Sequence, residues 1–322
     1  MTFKKEQYHR EIQPYVWMLK GMSKLLFNKK GMKILNRVGK LTQSKKIKNI
    51  HNEEIYISSS HGGAPIRMRI FKPLDESENL PAMLYLHGGG LVMGTPEGFL
   101  PVIENYIKTK PCIIVAPDYR KAFDQPYPAA FNDCYDTLLW MHDNIDKLGG
   151  IKDKLIVAGH SAGGGLAAAV TLKAMETQDV KIAFQIPVYP MLDDRQNTPS
   201  AVNNDAPIWN SRTNEIGWSA YLSDLVKKDA EIPAYAAAAR TVNFSILPPT
   251  ISFVGDLEPF RDETIAYIEN LKKAGLAVEF RLFEGCFHAF DMMLPQLEIS
   301  KEAWAFLLEA YRKYVDTYVY MN

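Results

Sequence analysis

The sequence predicts an α/β fold: a mostly parallel central sheet with helices on both faces and a helical cap. Three observations carry this prediction. Short apolar runs recur along the chain, helical stretches separate them, and two stretches outside the alternation read as helical with no strand signal. Those two stretches are residues 1–50 and about 192–233. The expected organisation is therefore an N-terminal helical cap segment (1–50) followed by one domain (51–322) with a helical insertion at about 192–233. At 322 residues the chain is long enough to bury a sizeable core.

The N-terminal stretch comes first. Tyr15, Met18, Leu19, Met22, Leu25 and Leu26 fall at three- and four-residue spacings with lysines between them. From about residue 53, "EEIYISSS" and "PIRMRIF" alternate like two antiparallel strands around a His61-Gly62-Gly63 turn. "AMLYLHG", "CIIVAPDY", "KLIVAGH", "AFQIPVYP", "TISFVGD" and "VEFRLFEG" are the runs expected to form the parallel strands. Helices are expected over Phe99–Lys108, Pro128–Leu148, Ser161–Glu176 and Asp262–Ala274, with a last amphipathic one over 298–317. Residues 192–233 are too long for a plain crossover. They hold the turn formers Asn203-Asn204-Asp205 and Pro207, and aromatics that read as exposed, Trp209, Trp218 and Tyr221.

Composition narrows the function classes. Apolar residues make up 47% and charged residues 23%, as in an ordinary globular chain. No apolar run approaches a membrane span, so stable membrane insertion is not expected, and no secretory signal is evident. The three cysteines form no CxxC pair and suit a reducing, cytoplasmic location. With no HExxH motif either, no metal site is expected. Net charge is zero but uneven. Residues 1–50 hold 13 Lys/Arg against 2 Asp/Glu, so the remainder is correspondingly acidic. A basic segment docked on an acidic body is the simplest account; a surface for anionic lipid or an acidic partner is the alternative. Nucleic-acid binding is not expected of so acidic a remainder.

The chemistry centres on "VAGHSAGG", where Ser161 follows a strand and precedes a helix. Glycines 159 and 163 leave room for a tight turn that lifts the hydroxyl above the sheet edge. The same turn puts the Ala162 amide at a helix N-terminus, where an oxyanion would be stabilised. A plain helix N-cap serine, contributing about 1 kcal/mol, is the competing reading. "LYLHGGG" adds His87-Gly88-Gly89-Gly90 after an earlier strand, with backbone N–H groups of Gly88, Gly89 and Gly90 uncovered for a substrate oxygen. A serine needs a base to take its proton. His288 in "LFEGCFHAFD" lies downstream after a late strand and fits best. His9, His51, His61 and His142 lie upstream, His87 belongs to the glycine turn, and His160 points away from the hydroxyl. For the carboxylate, "TISFVGDLEPFRDET" offers Asp256 and Glu258 at the strand end, which spacing does not separate. Asp262 and Glu263 suit the first turn of a helix.

With these residues in view the chain, from about residue 50 to its end, resembles the hormone-sensitive-lipase-like esterases of the α/β-hydrolase fold (the acetyl esterase and carboxylesterase type). The resemblance rests on "HGGG" (87–90), "PDYR" (117–120), "PYPAAFND" (126–133), "GHSAGG" (159–164), "YPMLDDR" (189–195), "PIWN" (207–210), "GWSAYL" (217–222), "VGDLEPFRDE" (254–263) and "GCFHAFD" (285–291). It implies an α/β-hydrolase core with a helical cap and serine-ester hydrolysis of short-acyl, small-molecule substrates. Ser161 matches the nucleophile and His288 the base. Gly88, Gly89, Gly90 and Ala162 match the oxyanion hole, and Glu258 stands in the column of the acid, with Asp256 as fallback. Aspartate is usual in that column, in the place of His160, and glycine in the place of Ala289; neither of the last two changes removes a reacting group. The mechanism needs no metal or organic cofactor. Trp209, Trp218 and Tyr221, with Trp17, are the aromatics expected either to face the substrate or to pack the cap on the body. Homodimers are common in similar enzymes. The same residues serve lactone, amide or carbamate hydrolysis, and a receptor that kept the fold without the chemistry is a third reading.

Overall fold

The structure is a computed structural model that describes residues 2–74 and 78–321. Its chain order is α1 (Val16–Leu26), α2 (Lys29–Lys40), β1 (Ile50–Ile57), β2 (Ile66–Pro73), β3 (Ala82–Leu86), α3 (Leu100–Thr109), β4 (Ile113–Pro117), α4 (Ala129–Asn144), β5 (Leu155–His160), α5 (Ala162–Thr177), β6 (Ile182–Val188), α6 (Ser211–Tyr221), α7 (Ser223–Lys227), β7 (Thr250–Gly255), α8 (Arg261–Lys273), β8 (Val278–Phe283), α9 (Phe290–Met293) and α10 (Glu298–Tyr314). Short 3-10 turns link several of these. The eight strands form one sheet in the order β1-β2-β4-β3-β5-β6-β7-β8. The β1–β2 and β2–β4 pairs are antiparallel; every other neighbouring pair is parallel.

Strand β3 shows why the central strands read as unbroken apolar runs. Met83 and Tyr85 face one side of the sheet, with Ile103 and Tyr106 of α3 and Leu307 and Tyr311 of α10. Ala82, Leu84 and Leu86 face the other, with Cys134 and Leu138 of α4 and Leu166 and Val170 of α5. Both faces are covered, so period-two alternation disappears. Each aliphatic side chain buried this way contributes roughly 1.5–3 kcal/mol by transfer from water.

The predicted strands are all present, and the four predicted internal helices are offset by a residue or so, apart from the end of α4. There the α-helix stops at Asn144 and a 3-10 turn carries it on to Leu148. The N-terminal stretch is less uniformly helical than its spacing predicts. Asn28 ends one helix and caps the next, its side chain accepting from the amides of Lys30 and Gly31, both at 3.1 Å. The first strand begins at Ile50. In the insertion only α6 and α7 are helical. The aromatics that read as exposed are buried: Trp209, Trp218 and Tyr221 are each at most 3% accessible. Turn-forming neighbours made them look like loop residues, but they pack inward.

The N-terminal segment and the insertion meet. Lys20 pairs with Asp205 at 2.9 Å, the Phe3 amide donates to the same carboxylate at 2.8 Å, and the Ile208 amide donates to Ser23 Oγ at 2.6 Å. Asn36 then ties α2 to the loop after the glycine turn, donating to the Val92 carbonyl and accepting from the Gly94 amide.

Candidate active site

The predicted residues come together at the carboxyl ends of four parallel strands, the usual place for a site in an open α/β sheet. Ser161 follows β5, the glycine turn follows β3, Glu258 follows β7, and His288 follows β8.

Ser161 sits at φ 59° and ψ −122°, a conformation that L side chains rarely adopt. The turn around it leaves no room for side chains. A Cβ on Gly159 would lie 2.2 Å from the Gly163 carbonyl oxygen, and one on Gly163 would lie 2.0 Å from that of Leu86. The strained turn presents Oγ to His288, whose Nε2 lies 2.8 Å away. The other ring nitrogen, Nδ1, is hydrogen-bonded to Glu258 Oε2. With Nδ1–H donating to the carboxylate, Nε2 is the acceptor for the serine hydroxyl. Glu258 is fully buried, and its second oxygen accepts from the Gly255 amide at 3.0 Å. The imidazole is further held between the ring edges or faces of Tyr189 and Phe260, whose centroids lie 4.9 and 5.0 Å away.

Asp256 faces elsewhere. Its Oδ1 accepts from the Gly285 amide at 2.6 Å, and burial raises its carboxyl above the usual range. It therefore staples the loop that carries His288. The Leu257 amide adds to this by donating to the Cys286 carbonyl at 3.0 Å. Asp262 and Glu263 lie in the first turn of α8, as expected, and also anchor the start of the insertion. Asp262 accepts from the Ser200 amide, and Glu263 from the amides of Leu192 and Asp193.

Gly88, Gly89 and Gly90 line the cavity above Ser161. His87 orders this turn: Nδ1–H donates to the Gly88 carbonyl at 2.7 Å and the ring stacks on Tyr119. Because carbonyl and N–H point in opposite directions across a trans peptide, the Gly89 N–H is turned the other way. Among the described residues, the amides of Gly88, Gly89 and Ala162 find no protein acceptor. Ala162 is the first residue of α5, where the helix leaves its amides unpaired. His87 and His160 are both pushed down to about 3, chiefly by burial, so they are neutral at physiological pH. His160 Nδ1 pairs with the Tyr85 hydroxyl at 3.0 Å, away from Oγ.

The cavity holds about 250 Å³, just under the usual range for drug-sized ligands. Phe27 and Leu35 of the N-terminal segment and Ile208 and Trp209 of the insertion help to line it, with Met292 and Met293 of α9. Of the expected aromatics only Trp209 lines it. A Cβ on Gly90 would lie 2.0 Å from the Trp209 ring, so the glycine turn and the indole are in direct contact. Trp218 and Tyr221 do not reach the cavity: Tyr221 packs edge-on against Tyr127 and lies near Trp218. Trp17 is 74% exposed. Met292, Met293, Phe27 and Leu35 escaped the sequence reading, because an isolated apolar residue next to a motif looks like any core residue. No group of His, Cys, Asp or Glu among the described residues could hold a metal ion, and no helix among them is long and apolar enough to cross a membrane.

Behind the site, Asp291 is fully buried, and its carboxylate is faced by the Tyr189 hydroxyl and the Met292 amide. Burial pushes it up to about 7. Its folded value thus exceeds the unfolded one of about 3.9. The folded state binds the extra proton, so this contribution to stability is complete below pH ~4 and is lost as pH rises to about 7. Asp291→Asn is expected to flatten that slope. The difference in Tm between pH 5 and pH 8 should shrink by a few degrees in the variant, measured by calorimetry. An unchanged difference would mean that Asp291 ionises freely in the folded chain.

Fold and site together define an α/β hydrolase. A family model described as alpha/beta hydrolase fold matches residues 83–292, and the chain belongs to that family. Its likeness to hormone-sensitive-lipase-like proteins extends to named relatives. Carboxylesterase NlhH of Mycobacterium tuberculosis is 32% identical over 219 residues, covering 68% of this chain and 69% of the relative. Esterase LipI of the same organism is 33% identical over 229 residues, 70% and 71% of the two chains. The solved structure of a bacterial heroin esterase superposes with a TM-score of 0.83 at 30% identity, covering 94% of this chain and 98% of the other.

Proposed function

We propose that this chain is a serine carboxylesterase acting on small, short-acyl esters. Ser161 is the nucleophile, His288 the general base and Glu258 the acid that orients the imidazole. One observation carries the reading: the unbroken chain of hydrogen bonds from the Ser161 hydroxyl through His288 to Glu258, at the floor of an apolar cavity. Oγ attacks the ester carbonyl while Nε2 takes its proton. The buried carboxylate stabilises the imidazolium. The free amides near Gly88, Gly89 and Ala162 receive the oxyanion, and each is expected to contribute roughly 3–4 kcal/mol, about 100- to 1000-fold in rate. The imidazolium then protonates the leaving alcohol. Water, deprotonated by the same nitrogen, attacks the acyl-enzyme, releases the acid and restores Ser161.

The size of the cavity and its closure by Trp209 support short acyl chains. Hydrolysis of p-nitrophenyl esters from acetyl to decanoyl is expected to peak at the short end. Trp209→Ala removes the indole from the cavity wall and is expected to move the peak to longer chains, with kcat/KM for the longest esters rising at least about tenfold, the low end of what one accommodated methylene is worth. A wild-type profile that rises steadily to decanoyl would overturn the short-chain reading. A folded wild type that ignores every ester yet cleaves a lactone or amide would assign the same residues to a different bond.

A further inference from the structure

We propose that the exposed face of the N-terminal helical hairpin is a docking surface for anionic phospholipid, one that holds the chain at a membrane surface without insertion. The proposal does not depend on the esterase reading. It rests on how charge and apolar area are distributed over α1 and α2.

Residues 16–41 contain seven Lys/Arg and no Asp/Glu. Lys20 is used internally, paired with Asp205. Among the described residues, Lys24, Lys29, Lys30, Lys33, Arg37 and Lys40 have no ion-pair partner, although all six are exposed. The apolar side chains between them are exposed too. Trp17, Met18, Leu25, Ile34, Val38 and Leu41 range from 50% to 81% accessible, and they are six of the fourteen large apolar side chains exposed among the described residues. Spacing groups both kinds on the same faces. On α1, Trp17, Met18, Lys24 and Leu25 repeat at helical intervals; on α2 and its C-cap, Lys30, Ile34, Arg37, Val38 and Leu41 do. Leu25 and Lys30 lie one residue inside either helix end at the Phe27–Asn28 joint and so link the two faces.

A helix buries its apolar stripe against the protein unless something else covers it. Here the inward stripes are already satisfied: Leu19 and Met32 are buried, and Phe27 and Leu35 line the cavity. The outward apolar residues are therefore surplus to the fold. Interleaved with unpaired cations, they match a phospholipid interface, where indole and aliphatic groups enter the acyl boundary and lysine or arginine stems reach up to phosphate. A solvated charged face would need the cations but not Trp17, Leu25 or Leu41. The position adds a consequence. Phe27, at the joint, also lines the cavity, so docking brings the mouth of the site to the lipid–water boundary.

The test is co-sedimentation of the full chain with vesicles of phosphatidylcholine alone or mixed equally with phosphatidylglycerol. The chain is expected to pellet with the anionic vesicles only, less so at high salt, and with a blue shift in tryptophan emission that Trp17→Phe removes. The triple variant Lys24→Gln/Lys30→Gln/Arg37→Gln is expected to lower the partition coefficient on the order of 100-fold. Trp17→Ser/Leu25→Ser/Ile34→Ser is expected to weaken it as well. Both variants should keep the circular dichroism spectrum and Tm of the wild type, which shows that they fold. Equal partition into neutral vesicles, or none into either kind, would overturn the proposal. So would a wild-type dimer in sedimentation velocity that the apolar variant turns into a monomer, since a second copy would then be what covers the face.

Discussion

Ser161→Ala is expected to lower kcat/KM for a p-nitrophenyl ester by roughly 10⁴- to 10⁶-fold while leaving the fold intact. The size of the loss follows from what the hydroxyl does. In the proposed mechanism it alone forms the bond to the acyl carbon, and its proton has one acceptor, His288 Nε2 at 2.8 Å. The intact fold follows from what it does not do. Ser161 caps no helix amide with its side chain, and its own amide and carbonyl bonds belong to the backbone: the amide donates to Val188, and the carbonyl accepts from Gly165 and Met191. Alanine keeps Cβ, so no cavity opens, and Tm should move by no more than a degree or two. A plain N-cap serine would behave in the opposite way, with activity kept and stability reduced by about 1 kcal/mol. Steady-state kinetics and a thermal melt on one preparation separate the two. Turnover within tenfold of wild type would remove Ser161 as the nucleophile.

The sheet was largely legible because its strands are buried on both faces and so read as uninterrupted Val/Ile/Leu runs between turn formers. The glycine turn and the serine elbow were legible for a different reason. Close backbone approach, such as that of Gly163 to the Leu86 carbonyl, tolerates only glycine and so leaves a mark in the sequence. What escaped depends on side-chain direction. Trp209, Trp218 and Tyr221 share one turn-rich stretch, yet one lines the cavity and two pack elsewhere. Nothing in their spacing separates them, because the insertion is too irregular to have a period. The buried Asp291 was invisible too. A carboxylate beside a motif histidine reads as polar and exposed, and only the fold, which sets it against the buried Tyr189, reveals the burial.

The second large effect separates two carboxylates that the sequence left side by side. Glu258→Gln is expected to reduce kcat on the order of 10⁴-fold, and Asp256→Asn to leave it within about tenfold. The amide of a glutamine at 258 presents N–H to Nδ1, or an oxygen that no longer carries charge. In the first case the imidazole takes the tautomer with the proton on Nε2, and Ser161 loses its acceptor. In the second the imidazolium formed during attack loses its buried counter-charge, in a place where Glu258 has no exposed surface through which water could compensate. Asparagine at 256 changes much less. Its Oδ1 still accepts from the Gly285 amide, and the hydrogen bond to His288 comes from Glu258 instead. Any loss there should appear mainly as a lower Tm, because the loop carrying His288 is also held by the Leu257–Cys286 and His9–Gly285 backbone bonds. Two readouts guard against a merely structural explanation. Glu258→Gln should lower kcat with KM for a short ester little changed, and Glu258→Asp should recover part of the activity by restoring the charge at a slightly longer reach. If Asp256→Asn proves the slower enzyme, the loop closes differently in solution and the acid is Asp256.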